Sequence, residues 1–413
     1  MMKKILLFII CLLVGVGIYY IYGTYSKNSV PKLEIEEHVV NVDKLYTYGT
    51  HLNIIGSNIP NEDLDLVLYN GEFISININI TGNSFNISDY INDGFYLDNL
   101  ENGYYNLFLR STSFDEEGNN VYKYYPLNNN TGYDKTIYYT MSNYNKKITI
   151  KYDDEYSTIG VVVKNNKDSN VYDIVLDAGH GGKDPGATKY GYSETDFTLD
   201  IALKVKEKLE ASGIRVKLTR DADTLTDEER LPEYGVHGRA VIPGEVKAKY
   251  LFSFHLNSSN STSVNGLEVY TPVKINYDFS KLLVNNIITN TGLGFSRNNV
   301  NKVYDGIYSR TFTSKEVEDS INDYVENSLI PYDITTDTNY YYIIRETGGI
   351  VTGAYVDDRN PDIISNPNTS TNTGTEAYLL ELGYITNKSD LNNMKNNMDK
   401  YVDAVVNSIL TLY

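Results

Sequence analysis

The sequence predicts a mostly parallel α/β sheet flanked by helices in its C-terminal part. An all-β, sandwich-like domain precedes it, and an N-terminal transmembrane helix precedes both. Three observations carry this. An uncharged, mostly apolar run covers Ile5 to Tyr22. Between residues 33 and 165 apolar and polar residues alternate in short runs broken by polar turns, the period of half-buried strands. From Val171 onward, continuous apolar strands alternate with segments of helical periodicity, as parallel sheets with crossover helices require. A chain of 413 residues with 41% hydrophobic content has room for several cores. The formal net charge of -18 excludes nucleic acid as a partner, because phosphates repel an acidic surface.

At the N-terminus, Lys3 and Lys4 precede the apolar run, which comes close to spanning a hydrocarbon core of roughly 30 Å. The lysines favour a cytoplasmic N-terminus, and Tyr19, Tyr20 and Tyr22 fall at the outer interface. No small-x-small site follows, so residues 1–25 read as an uncleaved anchor rather than a cleaved signal peptide. The expected location is the cell membrane, single-pass, with the rest of the chain outside the cytoplasm; secretion after cleavage is the alternative. Cys11 is the single cysteine. It allows neither an intrachain disulfide nor a thiolate metal site, so any metal must be held by nitrogen and oxygen.

Residues 33–165 follow. In "FISININI", Phe73, Ile74, Ile76, Ile78 and Ile80 mostly alternate with Ser75, Asn77 and Asn79. This accessory domain reads as a spacer or as a wall- or partner-binding module, with His38 and His51 as structural residues.

In residues 171–413, "DIVLDAGH" and "YLFSFH" are buried strands ending in His180 and His255, and "AYLLELG" carries Glu381 near its end. Glu194 opens a helix whose residues Phe197, Ile201, Val205 and Leu209 share one face, with Gly213 as its stop. Ligands of open parallel sheets bind beyond the carboxyl ends of the strands, so these four residues are expected to meet at one edge. Each has an ordinary alternative: a packed histidine, a first-turn acid favoured by the helix dipole, a buried acid paired to a cation. Together, two imidazoles and one carboxylate suffice to hold a catalytic zinc with one position left for water.

The stretches "LDAGHGGKDPGA", "YSET", "LFSFHLNSS" and "LLELGYITN" resemble, in order, the motifs of the zinc-dependent N-acetylmuramoyl-L-alanine amidases of the type 3 family. The resemblance covers about Val171 to Tyr413. It implies that His180, Glu194 and His255 hold Zn2+ and that Glu381 is the catalytic acid/base. It also implies peptidoglycan as substrate, cut between N-acetylmuramic acid and the L-alanine of the stem peptide. Gly181 and Gly182 would let substrate approach closely, Asp177 is a candidate partner of a ligand histidine or a turn residue, and Asn257 is a candidate to orient substrate or a group behind the metal ligands. His237 reads as a surface residue of a glycine-containing loop.

The chain departs from the family pattern in two places. After Arg239, Pro243-Gly244 replaces the usual Ala-Asn, and an insertion of about 295–375 separates His255 from Glu381. The insertion contains "TSKEVEDSINDYVENSLIPYD", with a capping box from Thr313 to Glu316 and an apolar stripe of Val317, Ile321 and Val325. It is either a packed surface helix or a lid whose acids reach the metal until a protein activator displaces it. Two other functions compete: a zinc hydrolase cutting a different peptidoglycan amide, and a non-catalytic wall-binding protein with an amidase fold. The second predicts a lost ligand, yet all four positions are intact.

Overall fold

The computed structural model describes residues 33–128, 134–141, 144–167, 169–223, 238–326, 334–354 and 374–413. The expected anchor, 1–25, and His237 lie outside them. Among the described residues no helix is long and apolar enough to cross a membrane. The expectation of a single-pass membrane location is corrected on that finding. The longest helix among the described residues, Lys388–Ile409, carries Asp390, Lys395, Asp399, Lys400 and Asp403 along its length, and it buries one apolar stripe in the main core.

Twelve strands among the described residues, β1–β12, lie between Val40 and Asn166 and join in one hydrogen-bonded network. Side chains from distant parts of that network share a core: Leu52 and Ile54 on β2 (His51–Ser57) belong to the same buried cluster as Ile148 and Ile150 on β11 (Tyr144–Asp153). The network therefore curls onto itself. The "FISININI" alternation is only partly realised. It breaks into β4 (Phe73–Ile76) and β5 (Asn79–Thr81), and of its apolar residues only Ile76 is buried. Both pieces are edge strands with one partner each, and Phe73, Ile74 and Ile80 stay exposed. Phe73 instead stacks on Tyr124, with the Arg110 guanidinium over its ring.

The second sheet has the order β16-β13-β17-β21-β18-β20-β19. Its strands are β13 (Ile174–Ala178), β16 (Val216–Leu218), β17 (Tyr250–Asn257), β18 (Glu268–Thr271), β19 (Lys302–Tyr304), β20 (Ile307–Ser309) and β21 (Glu376–Tyr384). A small hairpin, β14 (Thr188–Lys189) and β15 (Tyr192–Ser193), follows β13. The central strands β16, β13, β17 and β21 are parallel, and β18 runs antiparallel to β21. The helices are α1 (Glu194–Ala211), α2 (Ile242–Glu245), α3 (Asp278–Thr291), α4 (Ser314–Glu326), α5 (Tyr342–Thr347) and α6 (Lys388–Ile409).

Helices α1, α3 and α6 bury one face of this sheet. Phe197, Ile201, Val205 and Leu209 of α1 all lie in its main core, each contributing about 1.5–3 kcal/mol of apolar burial. Gly213 follows α1 with φ +86°, the left-handed stop that glycine supplies. Helix α5 covers the other face through Ile343 and Ile344. Pro243 stands in the first turn of α2, where its missing N–H is not needed, so the Pro-Gly departure is accommodated by a single short turn.

The two sheets are joined by more than a linker. Tyr46, Tyr48 and Ile91 belong to the same apolar core as α1 and α6. Gly49 N donates to Gly374 O at 2.6 Å, and Ile91 N to Lys274 O at 2.9 Å. A buried ion pair links Lys249 Nζ to Asp98 Oδ2 at 2.7 Å.

Helix α4 leaves much of its stripe uncovered: Ile321 and Val325 are 40% and 60% exposed. Glu316 is committed to Arg310 and to the capping box at Thr313, not to the metal-type cluster described below.

Candidate metal centre

His180 stands two residues beyond β13, Glu194 is the first residue of α1, and His255 sits near the end of β17. The parallel sheet delivers the two histidines to one edge, and the hairpin β14–β15 brings the chain back so that α1 starts there. His180 Nε2 and His255 Nδ1 each lie 3.1 Å from Glu194 Oε1. One ligand-type atom from each residue falls within 4.8 Å of the others, a set able to hold a metal ion. Among the described residues no other such group of three is found.

The carboxylate is fixed from behind. Glu194 is 3% exposed. Its Oε2 accepts from Ala187 N at 2.9 Å and its Oε1 from Leu256 N at 2.8 Å. Burial acts to raise its pKa, but hydrogen bonds and charge from His180 and His255 outweigh burial and hold it well below the usual range. For His180, burial acts to lower the pKa, and bonding to Glu194 and Asp184 reverses this and raises it. Such a carboxylate between two imidazoles is a site of concentrated negative potential, which a divalent cation satisfies.

Glycines clear the space. A Cβ at Gly186 would come within 2.6 Å of His180 Cδ2 and 2.7 Å of Glu194 Oε2. At Gly181, with φ +129°, a Cβ would lie 2.9 Å from Arg220. Gly181, expected to let substrate approach, instead faces the buried Arg220, which bonds the carbonyls of Ala178 and Gly179. His180 itself adopts φ +62°, an uncommon conformation for a residue with a Cβ, of the kind that concentrates at functional sites.

Glu381 is on β21, in register with His255 on β17 and with Glu268 on β18. In-register neighbours share a face, so three site-edge residues stand side by side on adjacent strands. Glu381 Oε2 is buried and has no hydrogen-bond partner among the described residues. Burial first, then repulsion from Glu194 and Glu268, pushes its carboxyl well above the ordinary range.

Two expectations about neighbouring residues change. Asp177 does not bond a histidine ring: it accepts from Ser253 Oγ at 2.5 Å and Thr219 Oγ1 at 2.7 Å, and pairs with Arg239 at 3.4 Å. The ring partner of His180 is Asp184, whose Oδ2 lies 2.8 Å from Nδ1; the only trace of this in the sequence is an acid four residues on in "HGGKD". Asn257 turns away to Glu268, donating from Nδ2 at 3.2 Å. Glu268 was not anticipated. Fully buried, it also accepts from Tyr270 OH, Tyr384 OH and Ser296 Oγ, tying the ends of β17, β18 and β21 together.

The profile of the N-acetylmuramoyl-L-alanine amidases matches residues 174–411. The probable cell wall amidase LytH of Staphylococcus aureus is 34% identical over 121 residues, 28% of this chain and 37% of that relative. The chain thus spans little more than a third of the curated relatives it matches. Among solved structures, the catalytic domain of CwlV, an N-acetylmuramoyl-L-alanine amidase from Bacillus (Paenibacillus) polymyxa var. colistinus, is 22% identical with a TM-score of 0.37, covering 59% of this chain and 98% of that one. Cwp6 from Clostridium difficile is 25% identical, also with a TM-score of 0.37, covering 58% and 29%. With its profile match covering more than half of its length, the chain belongs to the N-acetylmuramoyl-L-alanine amidase family.

Proposed function

We propose that the protein is a peptidoglycan hydrolase that cuts the amide between N-acetylmuramic acid and the L-alanine of the stem peptide. His180, Glu194 and His255 are the metal ligands, the metal is zinc, and Glu381 is the catalytic acid/base. The observation that carries this reading is the convergence of two imidazoles and a carboxylate within 4.8 Å, with the buried, unpartnered Glu381 Oε2 on the adjoining strand.

The donor set fits zinc: two nitrogens and one oxygen, all on rigid elements, is a ligand set of catalytic zinc sites with one position left open. Zinc held there supplies Lewis acidity, lowering the pKa of a water towards ~7 and polarising an amide carbonyl. The chain does the rest. Asp184 fixes the His180 ring through Nδ1, leaving Nε2 for the metal. Glu194 is held as a carboxylate by two backbone N–H groups and both imidazoles. Glu381 takes a proton from the attacking water at Oε2 and returns it to the leaving nitrogen of alanine. Burial and two nearby acids raise this carboxyl, the direction in which a carboxyl is tuned to serve as base and then as acid. Residues 33–165 act as an accessory domain and 171–413 as the catalytic domain.

Digestion of purified peptidoglycan tests the reading. New N-terminal L-alanine is expected, and Glu381→Gln should retain zinc while losing about 10²–10⁴-fold in turnover. Fragments cut elsewhere in the stem peptide would replace the proposed bond with another; a variant within a few-fold of wild type would remove Glu381 from the chemistry.

A further inference from the structure

A cavity of about 480 Å³ lies where the two sheets meet, within the size range of small-molecule sites. Its walls come from both parts of the chain: Tyr96 and Asp93 from the β region, Phe279, Asp278 and Tyr413 from the α/β region. Tyr250 and Glu376 lie at its floor. These two residues begin β17 and β21, the strands that carry His255 and Glu381 five residues later. At about 3.3 Å per residue, the floor lies roughly 17 Å along the strands from the metal centre, at the opposite edge of the sheet.

Glu376 marks the cavity as more than a packing defect. It is 4% exposed. Its Oε1 accepts from Asn92 Nδ2 at 2.8 Å and from Tyr378 OH, while Oε2 has no hydrogen bond among the described residues. A nearly buried carboxyl with one oxygen left over, in the wall of an open cavity, leaves room for a hydrogen-bonding partner from outside the chain.

The chemistry of the walls restricts what that partner is. Asp93, Asp278 and Glu376 offer acceptors, and no lysine or arginine lines the cavity. Burial lowers the pKa of His51, another wall residue, so it adds no cation near neutral pH. Anionic ligands are therefore excluded. Tyr96, Phe279 and Tyr413 offer ring surface. A bare amine meets an obstacle, because Lys249 Nζ already lies 5.9 Å from the Tyr96 ring centroid and 4.9 Å from that of Tyr413, so these rings already face a cation. A neutral pyranose meets none: its hydroxyls donate to carboxyl oxygens and its C–H face packs on tyrosine.

We propose that this cleft is a carbohydrate-binding site for a neutral glycan, distinct from the metal centre. That the glycan is the wall strand itself rests on the amidase reading; the site does not. It holds a sugar remote from the bond being cut and so anchors the polymer while the metal edge works.

Isothermal titration of the whole protein with the β-1,4-linked tetramer of N-acetylglucosamine tests this. The probe has no lactyl-peptide amide, so binding is read without turnover and is independent of whether the protein is an amidase. Saturable binding is expected. The double variant Asp93→Ala/Asp278→Ala, which alters only exposed rim side chains, and separately Tyr96→Ala, should each weaken it at least about tenfold, with thermal unfolding of the double variant unchanged. Absence of binding in the wild type overturns the proposal. So does binding that both variants leave intact, which would put the sugar elsewhere, and so does a stronger response to cadaverine than to the tetramer.

Discussion

Replacing Glu376 by Gln tests the energetics at the junction of the two sheets. Burial pushes this carboxyl up to about 7 from an ordinary 4.5, more than its hydrogen bonds to Tyr378 and Asn92 hold it down. Each tenfold difference in proton affinity between folded and unfolded chains is about 1.4 kcal/mol, so ionising Glu376 in place costs on the order of 3 kcal/mol. The residue is almost wholly buried, and solvent screening removes little of this. Because the folded pKa is raised, the stabilisation is fully present below 4.5 and is lost as pH rises through about 7. Gln keeps the shape and the Oε1 acceptor used by Asn92 and Tyr378 but does not titrate. The variant and wild type should therefore be equally stable near pH 4.5, and the variant should be more stable by about 3 kcal/mol at pH 8. Urea unfolding followed by far-UV circular dichroism at both pH values measures the difference. Other buried acids, such as Asp173, raised to about 6 by burial, titrate in both proteins and cancel. A stability gap that does not change between the two pH values would refute the argument.

Other substitutions probe the centre and the junction. His255→Ala leaves one imidazole and one carboxylate and should lose bound metal as well as activity; elemental analysis showing full occupancy would take His255 out of the ligand set. Lys249→Met leaves Asp98 buried without its cation and should cost about 3–5 kcal/mol. If thermal unfolding does not shift, the β region is a tethered spacer in solution and its packing against the α/β sheet contributes nothing.

What could be read from the sequence was what periodicity and strand ends record. Buried parallel strands are continuous apolar runs, so β13, β17 and β21 stand out, and topology alone sends His180, His255 and Glu381 to one edge. Residues whose role depends on a partner far away in sequence leave no such trace. Glu268 looks like one more acid in "NGLEVYT" until β18 turns antiparallel and sets it against Glu381. Asp98 and Lys249 are separated by 151 positions, and nothing local to either predicts a buried pair. For the same reason the β region reads only as a spacer or a wall- or partner-binding module: Tyr48 shows its alternation, but not that its buried face meets the other domain near Gly374.

Helix α4 is where pattern and structure conflict, and this can be tested. Its apolar stripe satisfies the rule that an amphipathic helix has a face to bury, and its capping box is formed at Thr313 and Glu316. Yet Ile321 and Val325 stand exposed, and Glu316 is taken up by Arg310. The start of the helix is thus fixed by local polar bonds, and the stripe contributes little to the fold. Ile321→Ser/Val325→Ser should then change unfolding stability in dilute solution by no more than about 0.5 kcal/mol per site, as for surface positions generally, and should leave bound metal unchanged. A lid seated on the metal edge by its stripe requires something different: the same double substitution would loosen it and raise hydrolysis of purified peptidoglycan. Unfolding curves, metal content and hydrolysis rate measured on one preparation separate the two. A loss of several kcal/mol, or a clear rise in rate, would show that the stripe is buried in solution and that the polar bonds at its start do not by themselves hold the helix.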